Sequence, residues 1–167
     1  MSRVAFDALP DEARTWVFAA AAPLDARSAE IVRGTIDAFL EGWSSHGEDV
    51  PAAARLVEGR FLVVAADEAA VTGGCSVDRL FRTVRDLRRS AGIDFLETTR
   101  VYWRDGEAVA SATRDEFRRL AESGSVTSET IVYDTTAERL AEVRSGAWSR
   151  PAAESWHARA FPLRRAS

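Results

Sequence analysis

The chain has 167 residues, 46% hydrophobic and 29% charged, with a formal net charge of −4. That length lies in the range of a single domain, the apolar share fills one core, and no apolar run nears the roughly 18 residues of a membrane span. One cysteine excludes an internal disulfide and any site built from several thiols.

Lys, Asn and Gln are absent, so every basic side chain apart from two histidines is arginine. Whole mechanisms fall away with them: a Schiff-base lysine, a Cys/His/Asn triad, a side-chain amide in an oxyanion hole, and the glycine-rich phosphate loop with its lysine. The plainer explanation of the skew is a GC-rich coding bias, which favours Ala and Arg over Lys and Asn, and to which a salty or hot habitat would add. Residues 1–75 carry six Arg against twelve acids, whereas residues 76–167 carry sixteen Arg against fourteen acids. An acidic total argues against nucleic-acid binding by phosphate neutralisation. Asp7, Asp11 and Glu12 near the start do not fit the layout of a signal peptide, which together with the single thiol predicts a cytoplasmic protein with no membrane partner.

Arg14 to Ala20 reads as a first strand, rich in aromatic and β-branched residues. From about Ala26 to Ser44, Ile31, Val32, Ile36, Phe39, Leu40 and Trp43 recur at three- and four-residue intervals, the stripe of a core-packed helix that ends at Ser44 to Gly47. His46 there reads as a C-cap residue. Ala53 to Glu58 and Arg60 to Ala66 are two short strands of a hairpin around Gly59, the second a continuous apolar run suited to a central strand. After a loop from Asp67 to Gly74, Ser76 is placed to cap a helix to about Ser90, closed by Gly92. Thr99 to Arg104 and Glu107 to Ala112 flank an Asp105-Gly106 pair typical of a type I′ hairpin turn. Thr113 and Glu116 form a capping box for a helix to about Glu122, followed by a strand at Thr130 to Tyr133 and a helix at Thr136 to Arg144. Residues 147–161 form an aromatic tail.

This order predicts an α+β fold: a ferredoxin-like βαββαβ core over about 14–104, with an antiparallel sheet and both helices on one face, and a C-terminal β-α-β-α extension over about 105–161, all in one domain.

The candidate site is Thr72-Gly73-Gly74-Cys75-Ser76, a glycine turn that sets the lone thiol at a helix start. Unpaired N–H groups and about half a positive charge at a helix N-terminus favour a bound anion or an ionised thiol. Gly73, Gly74, Cys75, Ser76, Arg79 and Arg82 are the ligand-binding candidates, with Arg85 and Arg89 continuing a basic stripe. The plainer alternative is a small buried cysteine, a tight turn and a solvated arginine face. Catalytic candidates are Cys75 and His157, whose order along the chain is that of papain-like cysteine proteases, without any local signature of them. His46, Cys75 and His157 share no metal-ligand spacing, so neither metal nor cofactor is expected. The RNA-recognition reading lacks its second aromatic at Gly59-Arg60-Phe61-Leu62-Val63-Val64. The expected partner is a small anionic ligand; five tryptophans and the aromatic tail support the alternative of a non-catalytic interaction domain or homodimer.

The segments Trp43 to Gly47, Gly59 to Ala65, Gly74 to Asp78, Tyr102 to Gly106, Val132 to Thr135 and Ser155 to Phe161 resemble a family of small uncharacterised bacterial proteins, some of which carry the label ABC transporter ATPase. The resemblance spans nearly the whole chain and implies no catalytic residues. Thr72 to Cys75 is faintly similar to the Leu-Ser-Gly-Gly-Gln signature of those ATPases, but the phosphate loop is missing and ATP hydrolysis is not expected.

Overall fold

A computed structural model describes residues 2–71 and 73–167. The fold is α+β, with antiparallel sheets and helices of up to 18 residues. The first half contains β1 (Arg14–Ala19), α1 (Ala26–Glu41), β2 (Ser44–Ser45), β3 (Glu48–Asp49), β4 (Ala52–Val57), β5 (Phe61–Ala66) and α2 (Gly74–Ala91). The second contains β6 (Arg100–Asp105), β7 (Ala108–Thr113), α3 (Arg114–Ser123), β8 (Ile131–Tyr133), α4 (Leu140–Arg144), β9 (Ser149–Pro151) and α5 (His157–Ala160). The chain forms two units: Met1–Glu97 with Thr136–Ser145, and Thr98–Thr135 with Gly146–Ser167.

In the first unit the sheet order is β1-β5-β4, all antiparallel. β5 is buried along its whole length, as its unbroken apolar run requires. Leu62, Val64 and Ala66 face Val32, Ile36 and Leu40 of α1 and Leu80, Val84 and Leu87 of α2, so both helices lie on one face. Val63 and Ala65 point the other way, against Phe6, Leu9, Ala13 and Leu140. Each fully buried Leu, Ile or Val adds about 1.5–3 kcal/mol of transfer free energy. In the second unit the order is β7-β6-β8-β9. Trp103, Val132 and Arg150 stand in one row across β6, β8 and β9. Phe117 and Ala121 of α3 and Phe161 pack with Trp103 and Val132.

Several expectations meet a different chain path. The order β1-β5-β4 matches three strands of a ferredoxin-like sheet, but Arg100–Asp105 pairs with β7 and β8 in the second sheet instead of flanking β1. Closing the short Gly106 turn costs little chain entropy, so β7 takes one edge of β6, and β8 takes the other, leaving none for β1. Residues 136–139, expected as helix, instead run along the β1 edge: Thr15 N–H donates to Glu138 O at 2.9 Å, and Arg14 bridges Arg139. The helix is left with Leu140–Arg144.

The turn between β6 and β7 also differs in type. Asp105 pairs with Ala108, and only the first of the two intervening residues, Gly106, has positive φ (63°), the pattern of a type II′ turn. Helix α1 stops at Glu41 with Gly42 as its cap, and His46 (φ 52°) and Gly47 (φ 85°) form the turn of the β2–β3 hairpin. His46 is therefore a turn residue and not a helix cap.

Candidate functional site

Trp43 fixes where α2 begins. Its ring is fully buried beside Trp16 and Phe39, and Nε1–H donates to Ser76 O at 3.0 Å. Arg79 Nη2 donates to Gly42 O at 3.3 Å, a second tie between the end of α1 and the first turns of α2. The helix therefore starts against the β2–β3 hairpin.

Gly73 is the N-cap of α2 in extended backbone (φ −139°, ψ 146°) and Gly74 is its first helical residue, so the expected tight turn is instead a glycine pair at the helix start. Having no side chain, Gly73 leaves the first-turn N–H groups uncapped among the described residues, the condition for holding an anion. A Cβ at Gly73 would stand 3.1 Å from His46 Nε2, so the imidazole lies against the turn. At Gly74 nothing lies within 4 Å of such an atom. Beside the turn is a cleft of about 280 Å³ lined by Arg14, Val71, Gly73, Gly74, Val77 and Asp78. Arg14 brings a guanidinium to this lining and Asp78 a carboxylate, and the helix start adds its backbone dipoles.

The sequence candidates separate by placement. Gly73 and Gly74 line the cleft. Cys75 is exposed in the first turn and does not line it. Ser76 was expected to cap the helix; it is 4% exposed and its Oγ donates to Gly73 O at 2.8 Å, steadying the turn from within. Arg79 is engaged with Gly42, and Arg82 is exposed further along the helix. Thr72 lies outside the described residues. Sequence reasoning missed Arg14: it opens β1 about sixty residues earlier, and nothing in its local pattern ties it to the glycine turn.

A second cleft, about 390 Å³, is lined by Arg3, Val4, Ala5 and Glu41. Arg3 there is paired with Asp37 at 3.0 Å and Glu41 at 4.0 Å, so its charge is already answered.

His157 belongs to the second unit, whereas Cys75 belongs to the first. The imidazole is fully buried, stacked on Trp156 at 3.8 Å and set edge-on to Phe117 at 6.1 Å. A 2.8 Å hydrogen bond joins Nδ1 to Ser155 Oγ, and Nε2 is buried with no hydrogen-bond partner among the described residues. Burial lowers its pKa to about 4, with Asp134 opposing the shift and Arg114 and Arg150 adding to it. At neutral pH it is an uncharged ring sealed from solvent. Among the described residues no three His, Cys, Asp or Glu side chains gather to hold a metal, and no helix is long and apolar enough to cross a membrane. No family model, curated protein or solved structure matches the chain.

Proposed function

We propose that the chain is a cytoplasmic small-molecule binding protein whose ligand carries an anionic group at the Gly73-Gly74 backbone that opens α2. The observation that carries this reading is the cleft at the start of α2, where uncapped N–H groups, Arg14 and backbone free of side chains meet. Val71 and Val77 offer apolar contact for the rest of a small ligand. Cys75 adds an exposed thiol one residue along, and His46 an imidazole beside Gly73. Binding, with no covalent step, is the role these groups fit, because among the described residues no base is hydrogen-bonded to the thiol. We also group the chain with the small bacterial proteins it resembles. The one exposed large hydrophobic among the described residues is Ile31, at 37%, so a homodimer would have to pair through polar surface or a sheet edge.

The test is a calorimetric titration of inorganic phosphate, and separately of a small dicarboxylate, at fixed ionic strength against wild type and Arg14→Met. Saturable binding of at least one is expected. A charge-assisted hydrogen bond is worth about 1.5–3 kcal/mol, so Arg14→Met weakens it about 10- to 100-fold. Absence of saturable binding for both probes, or equal affinity in the variant, overturns the reading.

A further inference from the structure

We infer that His157 is an acid-sensitive latch, and that adding a proton to its buried ring releases residues 156–161 from the core of the second unit. The ring has two nitrogens and one answered contact: Nδ1 meets Ser155 Oγ, while Nε2 faces no partner among the described residues. An imidazolium must donate from both nitrogens, so the closed form leaves one charged N–H unsatisfied in an apolar box. That box is Trp156 stacked at 3.8 Å, Phe117 at 6.1 Å and Phe161 at 6.3 Å.

The charged groups around it also disfavour a second proton. Arg114 of α3 lies over the rings of Trp156 (5.2 Å) and Phe161 (5.3 Å), and Arg118 of the same helix over Phe161 (5.6 Å). Arg150 of β9 is a further nearby cation, and its carboxylate partner Asp134, at 3.3 Å, is an acid that attracts the ring. Opening residues 156–161 gives the imidazole water and an ordinary affinity for protons.

The sign follows from linkage. The closed ring titrates near 4 and the open ring near 6.5, so the open form binds more protons in between and gains as pH falls. Across the whole window the gain approaches about 300-fold, and between pH 7 and pH 5 it is about 20-fold.

The Phe161 amide, which donates to His157 O at 3.0 Å, reports the opening. Its hydrogen-exchange protection factor, corrected for intrinsic rate, is expected to fall about 20-fold from pH 7 to pH 5 in wild type. In His157→Phe, which keeps the aromatic packing and removes the titration, it is expected to stay flat. NMR titration of the wild-type imidazole gives a readout that does not depend on that variant folding: the ring is expected to remain neutral at pH 5. An imidazole titrating near 6.5, equal protection at the two pH values, or the same pH dependence in His157→Phe overturns the latch.

Discussion

The start of α2 and the surroundings of His157 handle reactive groups in opposite ways. At α2 the thiol of Cys75 is exposed, the neighbouring backbone carries no side chain at Gly73 or Gly74, and a cleft opens beside them. Around His157 the imidazole is shut between aromatic rings with one of its nitrogens unanswered. Both regions lean on a single large buried ring: Trp43 ties down Ser76 in the first unit, and Phe117 touches Trp103, Phe161 and His157 in the second. The difference is what that packing leaves over, an accessible turn in one case and a sealed titratable group in the other. Accessibility decides the role of each: an open polar turn can exchange ligands, while a closed ring can respond only by opening.

Truncating the two rings should have the largest effects. Trp43→Ala and Phe117→Ala each remove a fully buried aromatic, and each is expected to cost about 3–5 kcal/mol, read as a shift in denaturant midpoint. Their side effects should differ. Trp43→Ala unties the start of α2 and weakens binding at the cleft, whereas Phe117→Ala exposes His157 and moves its titration towards 6.5. If the two variants lose stability without these separate effects, the contrast between the sites fails.

A smaller effect is expected at the capping box of α3. Thr113 Oγ1 accepts from Glu116 N–H at 3.3 Å and Glu116 Oε2 accepts from Thr113 N–H at 2.8 Å. The second of these bonds holds the Glu116 carboxyl below its usual range. Thr113→Ala should cost about 1 kcal/mol, and because Arg114 of that first turn stands over Trp156, it should also loosen the cover of His157. A stability loss with unchanged Phe161 exchange would separate the cap from the latch.

The smallest stability changes belong to the glycine turn. Gly73→Ala brings a methyl to 3.1 Å from His46 Nε2, and an exposed imidazole can move aside, so folding should change by less than about 1 kcal/mol while ligand binding weakens. Gly74→Ala, at the first residue of α2, meets open space and should leave stability close to that of wild type. Equal binding by both variants and wild type would remove the turn from the site.

Much of this was legible because it is local. The stripe of Val32, Ile36 and Leu40, the unbroken run of β5, the Thr113–Glu116 box and the left-handed Gly92 ending α2 each involve residues close in sequence, so propensity and periodicity specify them. The glycine pair at the start of α2 was visible for the same reason, though Gly73 is extended and Gly74 helical where a tight turn was expected. His157 as an aromatic clamp with one polar handle was visible too, since Trp156 and Phe161 lie within four residues of it.

What only the tertiary structure decided involves choices among distant partners. The free edge of β1 is met by Glu138 and Arg139 and not by Arg100–Asp105, which has both of its own edges taken, one by the adjacent β7 and the other by β8. Arg14 reaches the cleft because β1 lies beside β5, His46 meets Gly73 because a short hairpin follows α1, and Trp43 sets the helix start through one long-range hydrogen bond. By itself the sequence determined most of the elements, the Thr113–Glu116 cap, the Gly92 terminus and the glycine pair before α2. The assembled core decided which side chains surround that turn and which nitrogen of His157 goes unanswered, because such contacts depend on packing between segments tens of residues apart, and no local pattern encodes that choice.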